Sequence, residues 1–228
     1  MMPRGMMLLL VFALAVAPLA MGFALLSSMS ARVPMHWGVD GQVDGWGSPI
    51  EVVLWSGGVN LFVAALMLVI PFIGPMRSSF DRFHATYARI MIALLAGVGA
   101  MTTMPILKAA GWRVEVVPGM LAVLGIMLAT VGNWMGKVRR NFWIGIRTPW
   151  TLANETVWER THRVGGWVMV SYGLAVAVAG MLTPIWAATA VVLGGGIGLG
   201  LWSLLYSYVI YKRLGDVDDM ASHDHGAS

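Results

Sequence analysis

Two carboxylates and an imidazole, Glu155, Glu159 and His162, stand at i, i+4 and i+7 within "RTPWTLANETVWERTHR", residues 147–163. On a helix that spacing sets all three on one face, and such a face admits three chemistries. Glu159-x-x-His162 is half of the motif that carboxylate metal sites use in helical bundles, with Glu155 a third ligand one turn earlier. A histidine beside a carboxylate also titrates near neutrality and can serve as general acid or base. The plainest alternative is ionic. The carboxylates pair with Arg147, Arg160 or Arg163 and pin the segment to the bundle, a network that gives specificity more than net stability. The metal motif lacks its symmetric partner, and no nucleophile or second catalytic group accompanies the histidine, so the ionic reading is preferred. No catalytic residue, cofactor or enzymatic activity is expected, and Glu155, Glu159 and His162 are only weak candidates for a metal.

A second polar cluster lies in "VPMHWGVDGQVDGWGSP", residues 33–49. His36, Asp40 and Asp44 offer ligands to a cation, but Asp-Gly turns and interfacial indoles at Trp37 and Trp46 account for the same residues. The chain has no cysteine, which removes disulfides, thiolate metal sites and a cysteine nucleophile. His223 and His225 sit in a polar tail and make a poor metal site.

These clusters are embedded in a chain that is 58% hydrophobic and 11% charged, with a mean hydropathy of +0.74. Soluble domains carry about a quarter charged residues, so the expected fold class is all-α integral membrane. A span needs roughly 20 apolar residues. Stretches at about 6–27, 52–74, 90–107, 118–136, 164–182 and 184–211 supply six such spans without Asp, Glu, Lys, Arg or His. The first is longer than a signal core of roughly 7–15 residues and lacks a clean small-x-small site, so it reads as a span rather than a secretory signal. Spans without ionisable groups also argue against an ion-coupled transporter, which stays an alternative beside a metalloenzyme on the Glu155/Glu159/His162 face.

Twelve of the 15 basic residues fall on one side of these spans, with only Arg32, Lys108 and Arg113 on the other. The positive-inside rule then makes both termini and the 147–163 segment cytoplasmic. The basic residues are an orientation signal, and no direct nucleic-acid binding is expected. The units are a two-helix N-terminal part with the external loop (1–75), a central two-helix part (76–136), a polar loop with a two-helix hairpin (137–213), and a disordered tail (214–228).

Thr148-Pro149 and Asn154-Glu155 are successive helix-start signals, and the second helix runs on into the fifth span. Gly166, Gly173 and Gly180 continue its polar face as a stripe of small residues. The sixth span carries Gly194/Gly198 and Gly196/Gly200. Small residues let helices approach closely in lipid, so spans five and six are expected to pack as antiparallel neighbours through them. Thr183-Pro184 makes the turn between them. Trp143, Trp150 and Trp158 flank the charges and suit the headgroup level.

The segment "NFWIGIRTPWTLANETVWERTHRVGGWVMVSYG" resembles the signature of the SdpI family of bacterial membrane immunity proteins. Asn141, Gly145-Ile146-Arg147-Thr148-Pro149-Trp150-Thr151, Glu155, Trp158, Thr161-His162-Arg163 and Gly165 or Gly166 carry the likeness. Pro34, His36-Trp37, Gly41 and Asp44-Gly45-Trp46-Gly47 resemble the short N-terminal domain of unknown function that accompanies many members. The resemblance implies a multi-pass protein of the bacterial cell membrane that protects its cell from a secreted antimicrobial peptide toxin. It also implies a receptor role, in which toxin causes a small cytoplasmic transcriptional repressor to be held at the membrane. On that view His36, Trp37, Asp40, Asp44 and Trp46 face the toxin, and Asn141, Gly145, Arg147, Thr148, Pro149, Trp150, Glu155, Trp158, Glu159, Thr161, His162 and Arg163 are the candidate partner-binding set.

Overall fold

The computed structural model describes residues 4–73, 80 and 82–225. Helices α1 (Arg4–Leu25), α2 (Pro49–Val69), α3 (His84–Ala109), α4 (Val116–Met135), α6 (Glu155–Leu182) and α7 (Ile185–His225) are joined by the short α5 (Pro149–Ala153) and by a hairpin of β1 (Val33–Trp37) and β2 (Val43–Gly47). All but α5 are long and apolar enough to cross a membrane. The protein is an all-α, multi-pass membrane protein with, among the described residues, six spanning helices and a small β-hairpin outside them.

Proline and side-chain amide chemistry explain how α1 to α3 hold together. Pro18 lies inside α1 and has no N–H to give the carbonyl four residues earlier, which lipid cannot hydrate. That carbonyl, Leu14 O, accepts from Asn60 Nδ2 of α2 at 2.7 Å, and Asn60 is fully buried. The same substitution recurs one helix on. Pro71 releases the Met67 carbonyl, which accepts from the hydroxyl of Tyr87 on α3. Ser56 of α2 donates to Thr102 O of α3 at 2.6 Å, completing a polar stitch through an otherwise apolar trio. Packing thus groups α3 with α1 and α2, although it also contacts α4.

The closest helix pair is α4 with α6. A Cβ placed on Gly173 would lie 2.5 Å from Gly125 O, and one on Gly132 would lie 2.9 Å from Gly166 O. The two backbones touch where each lacks a side chain, which is how helices gain dispersion contact inside lipid. This corrects the sequence expectation: the stripe of α6 meets glycines of α4, not those of α7. Helix α7 is a neighbour of α6, but Gly194, Gly198 and Gly200 have no heavy atom within 4 Å of an added Cβ. At the turn before α7, the Thr183 hydroxyl donates back to Ala179 O at 2.8 Å.

Helix α7 continues to His225, so residues 214–225 are helical where the sequence suggested a disordered tail. Extending an existing helix needs no new nucleus. Residues 226–228 of that tail, like Arg77, lie outside the described residues. Outside the bundle, Ser48 caps α2 in a reciprocal box, with Ser48 N donating to Glu51 Oε2 at 2.6 Å. Val33 of β1 is fully buried with Val52, Val53 and Ile106 in a satellite core, which fixes the hairpin to the ends of α2 and α3.

Candidate functional site

Residues 137–163 fold into a clasp across the ends of α4, α6 and α7. Asn141 organises its first turn. The Asn141 side chain is fully buried, accepts from Trp143 N and Ile144 N at 2.8 and 2.7 Å, and donates to Arg139 O and Ile144 O at 2.9 and 3.0 Å. Both halves of the amide are satisfied, so the loop is closed around one residue. Gly145 then takes φ 114°, a region that other residues enter at a cost of about 1–2 kcal/mol.

The reason for that turn is His162. A Cβ on Gly145 would sit 2.2 Å from His162 Nε2, so only glycine lets the loop cross the ring. The next residue, Ile146, donates its N–H to His162 Nε2 at 2.9 Å. Because Nε2 accepts, Nδ1 must carry the hydrogen, and it donates to Trp158 O at 2.8 Å. The ring is stacked on the Trp158 indole at 3.9 Å and 18°. Trp158 itself donates Nε1–H to Val138 O at 2.8 Å. Both residues are fully buried.

Thr148 caps α5, with Thr151 N donating to its hydroxyl at 3.2 Å and Thr148 N donating to Thr151 Oγ1 at 2.9 Å. Its hydroxyl also donates to Ser207 of α7 at 2.9 Å, tying the clasp to the last helix. Arg140 donates to Leu152 O and Ala153 O at 3.0 and 3.2 Å, closing the far end of α5. Asn154 caps α6 by accepting from Val157 N at 3.1 Å. Thr161 is buried with its hydroxyl unpaired. Pro149 and Arg147 are exposed, and Arg147 donates to Phe142 O at 2.8 Å. Trp150 packs its ring 5.1 Å from that of Tyr208.

The expected Glu155, Glu159 and His162 face therefore divides. Glu159 pairs with Arg139 at 2.5 Å and Glu155 with Arg82 at 4.0 Å, not with Arg147, Arg160 or Arg163. Arg139 follows α4, whose antiparallel packing on α6 brings it opposite Glu159, while Arg160 and Arg163 are exposed. His162 turns inward, away from both carboxylates. The three are not gathered as metal ligands, and no group of three or more His, Asp or Glu placed to hold a metal occurs among the described residues. Trp158, expected at the headgroup level, is instead in the core. Sequence reasoning missed Arg139, Arg140 and Ser207. Arg139 and Arg140 adjoin the motif and were visible as basic residues, whereas nothing in the pattern around Ser207 marks it.

On the other side, His36 Nδ1 meets Asp44 Oδ1 at 2.5 Å with 74% and 52% of the side chains exposed. Asp40 Oδ1 accepts from Gln42 N at 3.0 Å and shapes the tip. Trp46 is 52% exposed with Arg32 over its ring at 5.5 Å, and Trp37 is half-buried. The tip reaches α7, where Gly41, at φ 77°, approaches Ile185 and Thr189 donates to Val39 O at 3.4 Å.

Comparison with known proteins places these two regions. Residues 137–207 match the model of the SdpI/YfhL protein family, and residues 13–58 match a domain of unknown function, DUF1648. The chain is 37% identical over 91 residues to "Immunity protein SdpI" of Bacillus subtilis (strain 168), across 40% of this chain and 44% of that protein. The match thus spans less than half the length of that relative. No solved structure matches the chain. Residues 137–207, which hold the clasp and α6, are thus similar to the SdpI/YfhL family, and residues 13–58, which hold the hairpin, are similar to DUF1648.

Proposed function

We propose that this protein is a non-enzymatic immunity protein that protects its cell from a secreted, membrane-active antimicrobial peptide. The observation that carries the reading is the buried clasp around His162, lying in residues 137–207 that match the SdpI/YfhL family. Both imidazole nitrogens are engaged by the backbone, which argues against a metalloenzyme using that residue. The absence of ionisable side chains from the apolar stretches argues against an ion-coupled transporter. An external apolar peptide meets the exposed hairpin, where Trp46 supplies contact area and His36, Trp37, Asp40 and Asp44 shape the surface. With both termini in the cytoplasm, the outward side of the clasp, led by Arg147, then faces a small repressor and holds it when toxin is bound.

Expression in a peptide-sensitive bacterium tests this. Survival should rise with the wild-type protein, fall with Trp46→Ala, and stay high with Arg147→Ala, which should instead lose the recruitment of the repressor to the membrane. Equal killing with and without confirmed membrane expression would overturn the immunity reading. Topology is checked by single cysteines at Gln42 and Lys137, which should label from outside and inside respectively.

A further inference from the structure

We infer that the cleft between α6 and α7 on the clasp side of the membrane binds one anionic phospholipid, with an acyl chain between the helices and the phosphate at Arg160 and Arg163. Arg160 and Arg163 precede Trp167 by seven and four residues, so the three share one face of α6. Both arginines are exposed. Neither has a carboxylate partner among the described residues, because Glu155 and Glu159 of the same helix are paired with Arg82 and Arg139. Trp167 is 71% exposed and stands where an indole marks the headgroup boundary.

Directly beyond it opens a cleft of about 610 Å³ lined by Trp167, Ser171, Tyr172, Gly198, Leu199 and Trp202. The Trp202 ring is held by stacking on Tyr206 at 5.0 Å. The Tyr172 hydroxyl is already donating to Val192 O at 2.6 Å, which leaves an apolar wall suited to hydrocarbon rather than to a polar ligand. Gly198 has open space where a side chain would stand, so the α7 wall is recessed. Two exposed guanidinium groups on the face of α6 that carries Trp167, without a carboxylate partner among the described residues, complement a lipid phosphate whose chain lies in the cleft. A second copy of the chain is a poorer occupant, since a two-fold pairing would set these arginines against their own counterparts.

Native mass spectrometry of the delipidated, detergent-solubilised protein tests the site, with phosphatidylglycerol and phosphatidylcholine of identical chains as probes. At roughly fivefold per arginine, phosphatidylglycerol should bind about 25-fold tighter than phosphatidylcholine. The Arg160→Gln/Arg163→Gln double variant should bind the two lipids alike. Gly198→Leu should weaken both by filling the cleft, and Lys108→Gln, on the other side of the membrane, should change neither. Equal binding of the two lipids to wild type, a preference that survives the double variant, full binding after Gly198→Leu, or equal loss after Lys108→Gln would each overturn the proposal. So would a stable dimer that excludes lipid.

Discussion

His162 and His36 begin as equivalent observations, each a histidine among acidic and aromatic neighbours, and the fold treats them in opposite ways. His162 is sealed beneath Trp158 with both nitrogens bonded to backbone. His36 lies on a hairpin surface, with its Nδ1 on the Asp44 carboxylate and most of its side chain exposed. A buried imidazole with a backbone N–H on Nε2 has no lone pair left for a metal or a substrate. It acts as a template, setting where the 141–151 loop crosses α6. The exposed histidine makes one side-chain pair in water, where such pairs contribute little to stability, and it is open to a partner. Polar residues in the clasp therefore specify structure, and those in the hairpin offer surface.

Substitutions can break this contrast in order of expected size. Gly145→Ala should have the largest effect, about 4 kcal/mol, since it combines a positive φ with overlap on the His162 ring. Its measurable outcome is a large fall in the thermal midpoint of the solubilised protein, and near-wild-type melting would refute the template role. His162→Ala follows at about 3 kcal/mol, because it strands the buried Ile146 N–H and leaves a hole beneath Trp158. Loss of protection of the Ile146 amide in hydrogen exchange reports the same bond directly. Thr148→Val removes the hydroxyl shared with Ser207 and Thr151 and should cost about 1 kcal/mol. In a double-mutant cycle with Ser207→Ala the two losses should not add; strict additivity would mean that the clasp does not rely on α7. His36→Ala should change stability by less than about 0.5 kcal/mol, and a drop comparable to that of His162→Ala would erase the distinction between the two regions.

Much of the site was legible because it is local. Asn154 and Thr148 cap the helices that their side chains predict, and Asn154 starts the helix that runs into the fifth span. The polar run at 147–163 marks the place where the fold departs from simple spans. What misled was the assumption that residues sharing a helical face share a function. Glu155, Glu159 and His162 are close enough in angle to read as one face, yet even a face about a sixth of a turn wide can look onto a neighbour with one edge and onto water with the other. Here His162 takes the inner edge beneath Trp158, and the carboxylates take the outer edge toward Arg139 and Arg82. The glycine stripes misled in the same way, since small residues announce close approach without naming the helix approached.

The sequence by itself determined the six spans, the helix starts at 149 and 155, and the concentration of polar chemistry in two connections. Each of these follows from composition and spacing over one or two turns, where the bilayer and the backbone set the rules. Only the tertiary structure decided that α6 lies against α4 through Gly125, Gly132, Gly166 and Gly173, that Asn60 and Tyr87 take up carbonyls released by prolines, and that His162 receives Ile146 N–H. These contacts join residues 16 to 48 positions apart, and they depend on which surfaces fit when the helices are brought together, a choice that no single segment carries.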